Sequence, residues 1–544
     1  MNSLWVFVGC GVLTLGRWLY GRRIASTPGT IGGNTTIGRV DSLWRISANL
    51  YNLYCIWVHD AWNAMFYLLI FLPFSSLGIL PHELGFKQET SQAVFTKNTF
   101  PVQTNDVNGN TGKTFLIGLI GSLLDRLPLY DDVWASTGLI GVEDACDFRR
   151  RILAIPDSTV DWCTDDALVE MCFNGIGAQL VTRNADGAYI LDLSDLLEVE
   201  TRAPYRRYGG RIEFGAATKR PTSITIRGEP VTPDNTLEWM DAKYHMRSSI
   251  FLYVTVISHT IQDHQLASNL MIVTSRRSLP VGHPVRDLLI PFQHQSMNSN
   301  FSMNSLILSP RGTLFRNSGF TPAAFQDMIH LAMSSYVLQT SQEICKKNGV
   351  TDTEFYVLSK AFQDIHTEYV GAYLRVAYNL TDPCQVIHDT AVIVWLRALN
   401  SGLAEVGAGS LYDGNDWVSL GTLTTILVRF IDTVTSQHEI HGDVGDLLSN
   451  PMFCMAAMLK DRPPTEFSTR IFVQQNITVR LTQRNVECWL SDCVHLLDGR
   501  FHDTYVRDRA RLYEMHLLSR NRQANRPRYI PYFDPGLVAI STMQ

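Results

Sequence analysis

The sequence predicts a mainly α-helical fold with one small β-rich insert. Three observations point there. From residue 239 onward the pattern is mostly helical, over 325–341, 352–374, 389–404 and 423–441. Residues 204–237, with Pro, Gly and alternating Thr and Ile, read instead as short strands. The 544 residues are 45% apolar and 18% charged, an ordinary globular composition with ample material for a large core.

Taken in order, the chain opens with an apolar run from Leu4 to Tyr20, followed by Arg22 and Arg23. The run is short for a spanning helix and contains Arg17, which can snorkel to an interface. It lacks the basic start and cleavage site of a signal peptide. Basic residues after the run favour an N-terminal anchor or interfacial helix over 1–26, with the bulk cytoplasmic and the protein on an endomembrane. A secreted or soluble cytoplasmic protein, its first helix packed on the domain, is the alternative. Residues 27–34 form a Gly/Thr-rich linker. A second apolar stretch, 64–80, is broken by Pro73 and reads as a core or lid helix, with a segment dipping into a membrane as the alternative. Residues 89–113 are polar and rich in Asn, Thr and Gly, a flexible connection holding the main boundary. The expected division is therefore 1–26, a helical region and linker over 27–113, and one large domain over 114–544.

A net charge of −6 and a pI near 6.2 argue against a nucleic-acid partner, and no basic stripe is interleaved with aromatics. Arginine clusters around 149–151, 206–211 and 520–528 read as solvated surface or ion pairs. Ten cysteines without a Cys-x-x-Cys make neither a disulfide scaffold nor a zinc site and read as buried thiols. Glycosylation sequons at Asn34, Asn300, Asn379 and Asn476 are near chance frequency, and Asn300 reads as unglycosylated.

The most informative stretch is His259-Thr-Ile-Gln-Asp-His264, followed by Arg277-Ser-Leu-Pro-Val-Gly-His283-Pro284. Imidazoles bind borderline transition metals well, and buried pairs of them are unusual. On an α-helix an i,i+5 pair sits about 140° apart, too far round for one ion. A π-bulge would bring the rings together, and such bulges occur mostly at functional sites. The segment thus holds either a distorted helix carrying a metal or two unrelated histidines. Farther on, His438-Glu-Ile-His441 is one residue short of a zinc-protease motif, which needs its histidines at i,i+4. An i,i+3 pair lies about 60° apart, so His438 and His441 can face one ion.

The run from His259 through His264 to Arg277, Leu279 and His283-Pro284 resembles the metal-helix signature of lipoxygenases, with the interval to His283 one residue longer. Weaker likenesses follow in the family's order. They are the segment from Trp134 to Arg150, Ile190 to Asp195, Trp239-Met-Asp-Ala-Lys243, Tyr369 to Trp395, Thr435-Ser-Gln-His438, and the tail from Arg520 to Pro535. Their collinearity over roughly 130–544 carries the resemblance. It implies a large lipoxygenase-like helical catalytic domain without the N-terminal β-sandwich that many members carry.

The resemblance also implies a non-haem Fe, with Mn possible, held by His259, His264, His438 and the backbone carboxylate of Gln544. A variable fourth side chain lies four residues after the third histidine in the family. Here that position is Gly442, and His441 or water is the candidate substitute. The implied chemistry is hydrogen abstraction from a cis,cis-diene lipid, such as a polyunsaturated fatty acid, and addition of O2 to give a hydroperoxide. The alternative keeps the fold and metal but makes the protein an oxidase or isomerase of a polyene natural product. Expected partners are the unsaturated lipid, O2 and a membrane.

Overall fold

The computed structural model describes residues 92–96, 99–104, most of 164–464, and isolated positions at 471, 490, 533 and 538–542. Its axis is one continuous helix from Thr236 to Ser278. It comprises α2 (Thr236–Tyr253), a 15-residue π-helical stretch (Val254–Ser268) and α3 (Asn269–Ser278). Asn235 starts it by accepting from the Glu238 amide.

The axis is buried but far from uniformly apolar. On α2 the buried polar side chains are each matched by a partner from another element. Lys243 Nζ and Trp239 Nε1 both donate to Asp165, the first residue of α1 (Asp165–Phe173). The His245 ring meets the Gly209 carbonyl, Arg247 Nε donates to the Phe453 carbonyl, and Ser249 Oγ accepts from the Gly209 amide. Left without these partners, each would cost about 1–3 kcal/mol. The matches also fix how the surrounding loops dock. Trp239 and Lys243 thus tie the start of the axis to α1.

The β-rich insert is a five-stranded antiparallel meander. Its strands are β3 (Val181–Arg183), β4 (Tyr189–Asp192), β5 (Arg211–Phe214), β6 (Pro221–Ile226) and β7 (Glu229–Val231). The period of two holds: Tyr189, Leu191, Ile212, Phe214 and Ile224 are buried while their neighbours are more exposed. Phe173 stands edge-on to Tyr189 and Phe214, at 5.3 and 5.1 Å between ring centres. The sheet begins well before residue 204, where strand-like alternation became visible in the sequence. The first two strands are short: β3 pairs with β4 alone, and β4 joins them to β5. A separate hairpin, β1 (Gln92–Thr96) with β2 (Thr99–Thr104), falls in the segment read as a flexible connection.

Helices pack around the axis. They are α4 (Pro284–Leu289), α5 (Ala324–Ser334), α6 (Ser341–Lys347), α7 (Glu354–Tyr378), α8 (Thr390–Glu405) and α9 (Leu420–Asp432). A π-helical turn, Thr433–Gln437, joins α9 to α10 (His438–Gly442). The short strands β8 (Val386–Ile387) and β9 (Val418–Ser419) pair beside α8 and α9. Three of the four expected helices match within a few residues. The fourth, expected over 325–341, ends at Ser334, because Thr340 and Glu343 form a capping box that starts α6 afresh. Gly402 on α8 allows close approach to α3: a Cβ there would collide with Leu270 Cδ1. Among the described residues no helix is long and apolar enough to cross a membrane. Residues 1–26 lie outside them. Cys172, Cys345 and Cys454 are buried free thiols.

Candidate metal centre

Two helices, each distorted in the same way, bring three histidines to one point. The α-helical spacing would hold His259 and His264 about 140° apart. Within the π-helical stretch the turn widens, and the fifth residue comes round beneath the first. The Thr260 hydroxyl donates to the Thr255 carbonyl, also five residues back, at 2.6 Å. On the facing helix the π-helical turn at Thr433–Gln437 immediately precedes His438. The Nε2 atoms of the three rings form a triangle. His259 to His438 is 3.0 Å, His259 to His264 is 3.2 Å, and His264 to His438 is 2.9 Å. Among the described residues they are the one group of three side chains able to hold a metal ion.

These contacts are not a ring of hydrogen bonds. Asn300 Nδ2 donates to the His264 and Asn269 oxygens, at 2.8 and 2.7 Å. That fixes Asn300 Oδ1 as the acceptor facing His264 Nδ1, 2.8 Å away. The His264 proton therefore sits on Nδ1, and its Nε2 presents a lone pair to the other rings. Burial keeps all three imidazoles neutral at ordinary pH. His264 is lowered to about 4 by desolvation, with the Asn300 hydrogen bond opposing. His259 and His438 fall well below the usual range, first by desolvation and then through the neighbouring histidines. His438 Nδ1 is buried without a hydrogen-bond partner among the described residues.

The donor set fits a metal ion. At a point about 2.1 Å from all three nitrogens, an ordinary metal–imidazole length, this spacing subtends roughly 90°; tetrahedral angles would need nitrogens about 3.4 Å apart. Three neutral nitrogens at right angles form one face of an octahedron and leave the opposite positions for other ligands.

His441, the expected further ligand, does not join them. Its Nδ1 lies 2.7 Å from Asp263 Oδ2, and both residues are buried. Asp263 itself is pushed up by burial, against the pull of His441. The i,i+3 spacing does permit His438 and His441 to share a face, but a carboxylate on the opposite helix captures the second ring. The pair borders a cleft of about 200 Å³, also lined by Tyr336, Gln339 and Gln437. Gly442 faces the triad directly: a Cβ built on it lies 3.4 Å from His259 Nε2.

Gln544 lies outside the described residues. The tail leading to it is buried from Val538 to Thr542, and the Thr542 and Ser268 hydroxyls are 2.9 Å apart. Ser268 is one turn beyond His264 on the same helix, so the tail runs beside the metal helix. His283, in the second half of the signature, is structural. It caps α4 by accepting from the Val285 amide and meets Asp389 Oδ2 at 2.8 Å. Asp389 in turn caps α8 and accepts from the Tyr378 hydroxyl. Although burial pushes Asp389 upward, those hydrogen bonds hold its carboxyl below the usual range. The chain turns into His283 at Gly282, whose φ of 79° favours glycine.

Solved structures with this architecture are numerous. The crystal structure of a coral 8R-lipoxygenase matches with a TM-score of 0.66 and 16% identity, covering 85% of this chain and 79% of that one. The chain has a lipoxygenase-like fold. A calcium-dependent 11R-lipoxygenase matches this chain at TM-score 0.64 and 18% identity, covering 84% and 77%. In sequence it is 22% identical over 271 residues to the mouse polyunsaturated fatty acid lipoxygenase ALOX8, 46% of this chain and 37% of that one. It is 27% identical over 177 residues to human ALOX15B, 31% and 25% of the two chains. These matches span well under two thirds of the curated relatives' length. No protein-family model matches the chain.

Three features of the centre went unread in the sequence. Asp263 adjoins His264 in the motif itself, but its capture of His441 joins residues 178 apart. Asn300 stood out only as a sequon; it is fully buried, with its amide engaged on both sides. The nearness of Gly442 to the His259 ring has no sequence signal at all.

Proposed function

We propose that this chain is a non-haem metal dioxygenase that adds O2 to a polyunsaturated fatty acid, or a similar cis,cis-diene lipid, to give a hydroperoxide. The observation that carries the reading is the convergence of three neutral imidazole nitrogens on one point between two π-distorted helices, within a lipoxygenase-like fold. His259, His264 and His438 hold the ion, Fe or Mn, and the carboxylate of Gln544 at the end of the buried tail is the anionic donor. When bound, the metal supplies the one-electron acceptor that hydrogen-atom removal from a doubly allylic methylene requires.

The chain's own residues do the rest. Burial keeps the three imidazoles unprotonated and available as donors. Asn300 holds the His264 ring in one tautomer and orientation. The surrounding apolar core keeps the lipid radical from reactions other than that with O2. O2 adds to the delocalised radical, and the balance is one diene lipid plus one O2 giving one hydroperoxide. Arachidonate has been bound to a structure of this fold, which matches the chain at TM-score 0.64 and 16% identity. That complex supports a fatty acid as the substrate class.

The test combines metal analysis of the purified chain with product analysis on linoleate under isotopic dioxygen. The expected result is stoichiometric Fe or Mn and a hydroperoxide carrying both labelled atoms. His259→Ala should abolish both together while the fold persists. An unlabelled oxidised or isomerised product would overturn the dioxygenase assignment. We also propose that residues 1–26 hold the protein at an endomembrane. Removing them should shift it from the membrane pellet to the soluble fraction, and an unchanged distribution would refute this.

A further inference from the structure

The three rings of the centre are not equally enclosed. His264 and His438 are fully buried, and so is His441, whereas His259 retains accessible surface. Gly442 is partly accessible too, and it lies against the same ring: the Cβ position is 3.4 Å from both Nε2 and Cε1 of His259. The open side of the triad is therefore the side that Gly442 faces. His441, the neighbouring imidazole of α10, is turned onto Asp263 at 2.7 Å. An ordinary side chain at residue 442 would occupy this space. A carboxamide oxygen extends about 2.4 Å beyond its Cβ, enough to reach the point on which the imidazoles converge.

We propose that Gly442 leaves the His259 side of the centre open to an exogenous donor of small size, an anion such as azide or a neutral nitrogen base such as imidazole. The inference rests on the metal-binding reading above. It adds that this chain supplies one side-chain donor fewer than its helix has a position for, so that a ligand from solution completes the site.

The experiment uses the full chain loaded with Co²⁺, whose visible absorption reports its ligands without any turnover. Azide titrated into the wild-type protein should change the spectrum saturably. In Gly442→Asn the azide Kd should rise at least tenfold, while Co²⁺ itself binds about tenfold more tightly because the carboxamide takes the vacant place. Gly442→Ala, which adds one methyl at ordinary contact distance, should weaken azide severalfold and leave Co²⁺ affinity unchanged. Equal azide binding in the wild type and both variants would overturn the inference, as would a wild-type spectrum that ignores azide. The metal-binding reading would survive either result. Failure to find any Co²⁺ uptake that His259→Ala removes would sink both.

Discussion

Asn300→Ala separates the support of a metal ligand from the ligand itself. The amide of Asn300 makes three short contacts: it accepts from His264 Nδ1 at 2.8 Å and donates to His264 O and Asn269 Oδ1 at 2.8 and 2.7 Å. Alanine removes all three. The His264 ring then loses the partner that fixes its proton on Nδ1. Loss of such an outer partner typically weakens metal binding about 10–100-fold, or roughly 1.4–2.8 kcal/mol. The metal-free fold loses more than a methylene's worth of packing, because three buried polar groups are orphaned. At about 1 kcal/mol each, the low end because the vacated space can admit water, the loss is about 3 kcal/mol. Asn269→Ala is the control. It removes one of Asn300's two acceptors but leaves His264 Nδ1 bonded, so metal affinity should fall by less than about threefold. Urea unfolding of the metal-free protein and calorimetric metal titration measure the two quantities separately. If Asn300→Ala loses stability but keeps wild-type metal affinity, His264 does not owe its orientation to Asn300, and the account given for it is wrong.

Three further outcomes follow from the structure. His283→Ala should cost about 3 kcal/mol, from a lost helix cap and a lost hydrogen bond to Asp389, yet leave metal affinity unchanged; metal titration that tracked the stability loss would contradict a purely structural role. The stability of the metal-free chain should fall as pH falls. Burial lowers His245 and His366 to about 4, against opposing hydrogen bonds to the Gly209 and Phe362 carbonyls. Unfolded, these imidazoles titrate near about 6.5, so between there and 4 the unfolded chain binds more protons and each histidine costs about 2 kcal/mol from pH 7 to 5. A denaturation midpoint independent of pH over that interval would show that these rings are not held neutral. Finally, a Gly-Ser extension after Gln544 should abolish metal binding or turnover while the same extension before Met1 does not; full activity with the tail extended would remove the Gln544 carboxylate from the site.

The sequence exposed the centre where the chemistry is local. A five-residue spacing of two histidines in an apolar segment meant either a widened helix or two unrelated rings; the structure has the widened helix, and a second one, unread in the sequence, before His438. Helix boundaries were also local, set by Asp389 capping α8 and by the Thr340–Glu343 box that begins α6. What escaped was non-local. His441 has the spacing of a ligand, but its ring goes to a carboxylate on another helix, and no property of residues 438–442 announces that choice. Strands β3 and β4 were missed for a similar reason, since Val181–Arg183 is too short to show alternation and is a strand only beside Tyr189–Asp192.

The π-helical stretch between Val254 and Ser268 also sets the phase of everything after it. An extra residue in an ordinary α-helix would rotate the following segment by about 100°; a widened turn absorbs it and keeps that segment in phase. Deleting one residue between His259 and His264 would leave the histidines at i,i+4, a spacing an ordinary α-helix brings to one face. The pair itself would survive. The face of α3 that meets α8 would survive with it only if the turn closed to an α-helical one; were the turn to stay wide, Leu270 would swing away from Gly402, whose missing Cβ leaves room for it. The widened turns are thus a spacer in angle: they let one unbroken rod aim its ligands at the metal point and its next three turns at a different wall of the domain.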